Sequence, residues 1–352
     1  MMKINFILPG LGDSGGIKVV MKYASLLNGQ GIDTVVYCPM LAYNLHRYSS
    51  YVKNRIHQLY CTVKTIAEKN SKKKVVWIPY VSDKYIREAD HTIATMWATA
   101  YDVDKLSSRC GKKWYFVQDF EIWDNKELGL QSYRLPLHKI VISTWINEQL
   151  HNALGIGPFP VVYNGIDREV FNSANRTSHE GITFLMLNHT MEKKGVKQGL
   201  EVFKKIHAKY PHTSLRMFGM CSRDNLPSEI EYFQNPSQEE LVRLYRDTDV
   251  FIFPSLEEGW GLTPIEAMAC GCVITGSRTG FILDLGKDGN NVIVSEPGDV
   301  DGMYKQLNEL IPNKEKILQL QSSGLQTVMT LDWDYSIDKL IKVLMYSGDR
   351  YL

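Results

Sequence analysis

The segment 255–271, SLEEGWGLTPIEAMACG, concentrates residue types that could do chemistry. It leaves a strongly apolar run, crosses a loop with two glycines and enters a helical pattern. Amides around Gly261, Leu262 and Thr263 would point out of the helix start, where partial positive charge suits a phosphate. Glu257 and Glu258 stand just ahead. Beside an anion such acids are useful only if one accepts from hydroxyls, as on a sugar. The combination predicts a phosphorylated polyol as ligand. For Glu266 two readings stay open. Thr263 as N-cap, Pro264 as first helical residue and Glu266 three after Thr263 would make a capping box; alternatively Glu266 touches the ligand.

Upstream, MEKKGVKQG sets Lys193 and Lys194 between an expected strand and the next helix, where a lysine is a mobile positive point against a diphosphate. In VQDFE, Gln118, Asp119 and Glu121 follow another strand. Asp119 could orient an acceptor hydroxyl or take its proton, or simply stand in water. Trp97 and Trp123 are candidates for an acceptor wall or for the core. The loop GLGDSGGIKVV offers Gly12, Gly15 and Gly16 for close approach or tight turning. It matches neither the dinucleotide glycine pattern nor the phosphate loop, which disfavours an NAD enzyme. His46, His57, His91, His138, His151 and His179 show no metal-ligand spacing. Cys270 and Cys272 lack histidine partners at zinc-site spacing. The six cysteines read as buried thiols in a reducing compartment, and no structural metal is predicted.

These residues need elements to hold them. A chain of 352 residues with 44% apolar and 22% charged residues folds as two domains or three. A net charge of +1 gives no general field for nucleic acid. The opening MMKINFILPGLG suits a first strand rather than a secretion signal. No run approaches the roughly 18 apolar residues that span a bilayer. A cytoplasmic enzyme or a peripheral protein at the inner face of the membrane remains, alone or as a homo-oligomer.

The pattern begins strand, glycine turn, helix, strand, with Ile17, Val20, Ala24 and Leu27 as one buried stripe. The stretch 41–74, with its basic run 69–74, is left unassigned. Strands are predicted at 75–79, 91–96, 114–118 and 139–143, and another at the start of 161–171. A second alternation runs from 183–188 through a helix over 195–210, strands at 214–219, 250–254 and 272–276, and a helix from 299 or 300 to about 310. Such alternation predicts parallel sheets with ligands beyond their carboxyl ends. The domains are expected at 1–172 and 173–330, followed by a terminal helix in 331–352. Trp333, Ile337, Leu340 and Leu344 would form its packed side, with a membrane-surface helix as the alternative.

Four features resemble glycosyltransferase family 4, the retaining sugar-nucleotide enzymes of GT-B fold. They are GGIKVV, NGIDREVF, EKKG and the run EGWGLTPIEAMACG, with Glu258 and Glu266 eight apart. The resemblance implies two Rossmann-like domains facing a cleft, an acceptor-binding first and a nucleotide-sugar-binding second, with the terminal helix crossing back to the first. It implies a nucleoside-diphosphate sugar as donor (UDP, GDP or dTDP), a glycan or lipid-linked glycan acceptor in surface-polysaccharide synthesis, and no tightly bound cofactor or metal. By the resemblance Glu266 accepts from the ribose, Glu258 from the donor sugar, Lys194 neutralises the diphosphate, Gly261 and Leu262 lend amides, and Gly16 lies near the diphosphate. His189 stands where the family usually carries an Arg, and Gln118 and Asp119 where many members place a His. A sugar-nucleotide epimerase, an inverting transferase and a non-catalytic partner subunit are the alternatives.

Overall fold

The computed structural model describes residues 1–12, 14–67, 74–177, 181–224 and 226–346. His179 and all but Lys74 of the basic run 69–74 lie outside the described residues. The chain forms two compact units. The first comprises Met1–Ile142, Ile146–Tyr163 and Ser336–Leu352; the second comprises Ser143–Trp145 and Asn164–Tyr335.

The first unit runs β1 (Lys3–Ile7), α1 (Gly15–Gly29), β2 (Asp33–Pro39), α2 (Tyr51–Ala67), β3 (Val76–Ile78), β4 (His91–Ala94), α3 (Trp97–Lys105), β5 (Lys112–Val117), α4 (Lys126–Ser132), β6 (His138–Val141) and α5 (Thr144–Leu154). Its strands pair in parallel in the order β3-β2-β1-β4-β5-β6. β4 and β6 are buried at every position, as strands covered on both faces must be. Helix α1 starts where Ser14 accepts from the amide of Ile17, and it buries Val20, Tyr23, Ala24 and Leu27. Tyr23 meets Phe116 of β5 edge-on at 5.5 Å.

The second unit runs β7 (Ile182–Leu187), α6 (Val196–Lys209), β8 (Thr213–Gly219), β9 (Glu231–Gln234), α7 (Gln238–Arg246), β10 (Val250–Phe253), α8 (Leu262–Ala269), β11 (Val273–Ser277), α9 (Phe281–Leu285), β12 (Ile293–Ser295), α10 (Val300–Leu310) and α11 (Lys314–Val328). Its parallel sheet is ordered β12-β11-β10-β7-β8-β9. Numbered within its own unit, each sheet has the order 3-2-1-4-5-6 of the doubly wound dinucleotide fold. The two units thus share one topology without sharing a sequence repeat. Phe184, Met186, Val250, Ile252 and Val273 form the middle of the second core. Ser237 caps α7 in a full capping box with Glu240, and Asp299 caps α10.

A last helix, α12 (Trp333–Tyr346), buries Ser336, Ile337, Leu340 and Leu344, and from Ser336 onward it belongs to the first unit. Lys339 lies over the ring of Tyr163 at 5.6 Å. The apolar stripe is spent on packing, so the membrane-surface alternative for this helix falls. Two α/β units with the terminal helix returned to the first are the expected GT-B architecture.

The strand expected at the start of 161–171 shrinks to one bridge, Val161 with Val141. The motif that follows does a different job. The amide of Ile166 donates to Leu331 O at 3.1 Å and Arg168 pairs with Asp332 at 2.5 Å. A Cβ on Gly165 would sit 2.6 Å from the Trp333 nitrogen. NGIDR therefore ties the chain entering the second unit to the chain leaving it.

Candidate functional site

In the second sheet the strand order reverses between β7 and β10, and a crevice beyond their carboxyl ends is where open α/β sheets take ligands. The loops after these two strands carry Lys194 and Glu258. The first loop forms a 3-10 turn, Glu192–Lys194, ended by Gly195 at φ 64°. A Cβ on Gly195 would run into the carbonyl oxygen of Pro254, so only glycine lets the two loops approach. The carbonyl of Lys193 then accepts from the amides of Leu256 at 2.7 Å and Glu257 at 3.3 Å. Clamped in this way, Lys194 Nζ donates to Glu258 Oε2 at 2.6 Å, with side chains only 18% and 14% exposed. Ser255 Oγ lies 3.4 Å from the same oxygen.

The start of α8 departs from the capping expectation. Gly261, at φ 90°, is the N-cap, and no side chain caps the helix. Leu262 is the first helical residue, Thr263 the second and Pro264 the third. Pro264 is tolerated because the first four helical amides have no intrahelical partner. An ideal Cβ on Gly261 would lie 3.1 Å from the Phe253 ring and 3.2 Å from Pro264, and the helix starts two residues earlier than the Thr263 pattern suggests. Glu266 lies too far along the helix for a capping box. Its Oε2 accepts instead from the hydroxyl of Tyr245 at 2.9 Å. Tyr245 is fully buried on α7, and burial together with Glu266 raises its phenol well above the usual range. This buried, protonated donor aims the Glu266 carboxylate. Sequence reading missed Tyr245, because nothing in its spacing to Glu266 reveals that α7 and α8 are neighbours.

His189 follows β7. Its Nδ1 accepts from the amide of Met191 at 3.0 Å, which leaves the ring proton on Nε2. Burial first, then the Lys194 charge, pull its pKa below 6.5, with Glu258 opposing. At neutral pH His189 is therefore an uncharged donor of one hydrogen bond. The second unit thus brings together His189, Lys194, Glu258, Gly261, Leu262 and Glu266 on the loops and helix at one sheet end.

Gly16 and Asp119 belong to the first unit. Gly16 is the second residue of α1, and its ideal Cβ would lie 3.3 Å from Gln118 Nε2. Gln118 donates to Thr95 O at 3.4 Å, and its buried Oε1 has no hydrogen-bond partner among the described residues. Asp119 Oδ1 accepts from the amide of Phe120 at 2.9 Å. Glu121 is structural: its Oε2 takes the amide of Trp97 and the hydroxyl of Tyr115, each at 2.6 Å. Trp97 is core, whereas Trp123 is exposed. The six cysteines are free thiols, and Cys270 is pushed up to about 12 by burial. Among the described residues no cluster of three or more His, Cys, Asp and Glu could hold a metal ion.

The family model of glycosyl transferases group 1 matches residues 167–326, which hold every second-unit site residue named above. An uncharacterised glycosyltransferase of Methanocaldococcus jannaschii is 24% identical over 209 residues, 58% of either chain. The capsular polysaccharide biosynthesis glycosyltransferase CapM of Staphylococcus aureus is 29% identical over 192 residues, 49% of either chain. The chain spans about half the length of these curated relatives. Among solved structures, sucrose-phosphate synthase of Thermosynechococcus elongatus superposes with a TM-score of 0.74 at 14% identity, covering 98% of each chain. HepE of Anabaena in complex with UDP and glucose reaches 0.70 at 15% identity, covering 99% of this chain and 100% of that one. These likenesses establish the fold. The family 4 assignment expected from the motifs is overturned, because the model that matches is that of glycosyl transferases group 1.

Proposed function

We propose that the protein is a glycosyltransferase that moves a sugar from a nucleoside diphosphate to a hydroxyl of a glycan or lipid-linked glycan. The observation that carries this reading is the Lys194–Glu258 pair, held at 2.6 Å where the second sheet reverses, with Glu266 aimed from the adjoining helix. An ammonium for a diphosphate and two carboxylates for hydroxyls are what a nucleotide sugar requires.

In this reading Glu266 accepts from the ribose and Glu258 from the donor sugar. Lys194 and the amides of Gly261 and Leu262 neutralise the diphosphate, with His189 adding one N–H. Gly16 lets the donor approach α1, and Asp119 orients the acceptor. The bond from the anomeric carbon to phosphate breaks as the acceptor oxygen bonds to the same face, and a phosphate oxygen takes the acceptor proton. Configuration is retained without a protein nucleophile. Positive charge on the departing diphosphate is the main assistance, and the side chains supply it without a resident metal.

Nucleotide release from UDP-, GDP- and dTDP-sugars tests this. UDP-glucose heads the panel because the similar Anabaena structure has been determined with it. Wild type is expected to consume one donor, with Lys194→Ala, Glu258→Ala and Glu266→Ala each about 100- to 1000-fold slower. If no donor is consumed and no nucleotide binds, the chain is a non-catalytic partner instead.

A further inference from the structure

Helix α2 is amphipathic with its faces reversed. Its polar side packs on the protein. Asn54 is buried and bonds the backbone of Tyr48 in both directions, at 2.6 and 2.9 Å. Gln58 donates to Ala42 O at 2.8 Å, and Thr62 accepts from the Ala42 amide at 3.1 Å. The opposite side carries Val52, Ile56, Leu59, Tyr60, Val63 and Ile66, each between 49% and 66% exposed. At about 100° per residue these six fall on one stripe, with Lys53 and Lys64 along one margin and Arg55 along the other. No Asp or Glu occurs anywhere in 34–67.

We infer that this face of α2 lies in the surface of an anionic lipid bilayer. Apolar side chains between two cationic margins match the acyl boundary beneath negatively charged headgroups. A second copy of the chain fits poorly, since isologous pairing of two α2 faces would set cations against cations with no acid to answer them. The inference stands on this face alone and is independent of the transfer reaction.

The test is flotation of the full chain with vesicles of phosphatidylcholine alone and of equal parts phosphatidylcholine and phosphatidylglycerol. Wild type should float with the anionic vesicles and lose binding as salt rises. Replacing Lys53, Arg55 and Lys64 together by Gln should weaken binding about 100-fold, about fivefold for each cation. The variant Ile56→Ser, Leu59→Ser, Val63→Ser should abolish it. All six side chains are exposed, and circular dichroism of both variants checks that they fold. Donor hydrolysis should be unchanged in both, which separates failure here from failure of the transferase reading. Equal binding to neutral vesicles, no binding to anionic ones, or full binding by the serine variant would overturn the inference. So would a concentration-dependent dimer that the serine variant dissolves, which would assign the face to a second copy.

Discussion

Lys194 and Glu258 neutralise each other at 2.6 Å, so in the proposed reaction an incoming diphosphate has to compete with a carboxylate for the ammonium. That competition gives the pair opposite effects on binding and on turnover. Glu258→Gln removes the competing charge and also, under the proposed function, the acceptor for the donor sugar. It is expected to bind free nucleoside diphosphate about tenfold tighter while releasing nucleotide from the sugar donor more slowly. Calorimetry with the diphosphate, set beside the release assay, checks both; weaker diphosphate binding would mean that Glu258 holds Lys194 in place rather than restraining it. His189 adds nothing to the charge at neutral pH, since burial and Lys194 keep it unprotonated.

At the scale of elements, β4, β5 and β6 place His91, Trp114 and His138 side by side near the amino ends of these strands. His91 Nδ1 accepts from the Trp114 indole at 3.1 Å, and burial lowers its pKa from 6.5 to about 4. The folded value lies below the unfolded one. Between these two values the unfolded chain takes up a proton that the folded chain refuses, so stability falls as pH drops through this window. The shift corresponds to about 3 kcal/mol. Urea unfolding of wild type and His91→Asn at about pH 7 and about pH 4.5 should show most of this, about 2 kcal/mol of extra acid loss in wild type; equal losses would mean that His91 titrates normally.

For the whole molecule, the second unit is inserted between Tyr163 and Ser336 of the first, and α12 completes the first unit. Leu340 is buried there, so Leu340→Ala should cost about 2–5 kcal/mol and lower hydrogen-exchange protection in β1–β6 while sparing β7–β12. Uniform loss in both units would show that they unfold together. Much of this architecture is legible in the chain. Buried parallel strands are continuous apolar runs, so 114–118, 183–188 and 250–254 announce themselves. Helix stops and caps at Ser237 and Asp299 are local chemistry, and local chemistry survives folding. The types of the candidate site residues, Lys194, Glu258 and Glu266, were readable for the same reason. The N-cap at Gly261, the Tyr245 donor beneath Glu266, the clamp of Lys193 on the loop after β10 and the outward apolar face of α2 were not. Each depends on which elements become neighbours. A periodic stripe states that a helix has two faces, whereas only the tertiary structure decides which of them meets the protein.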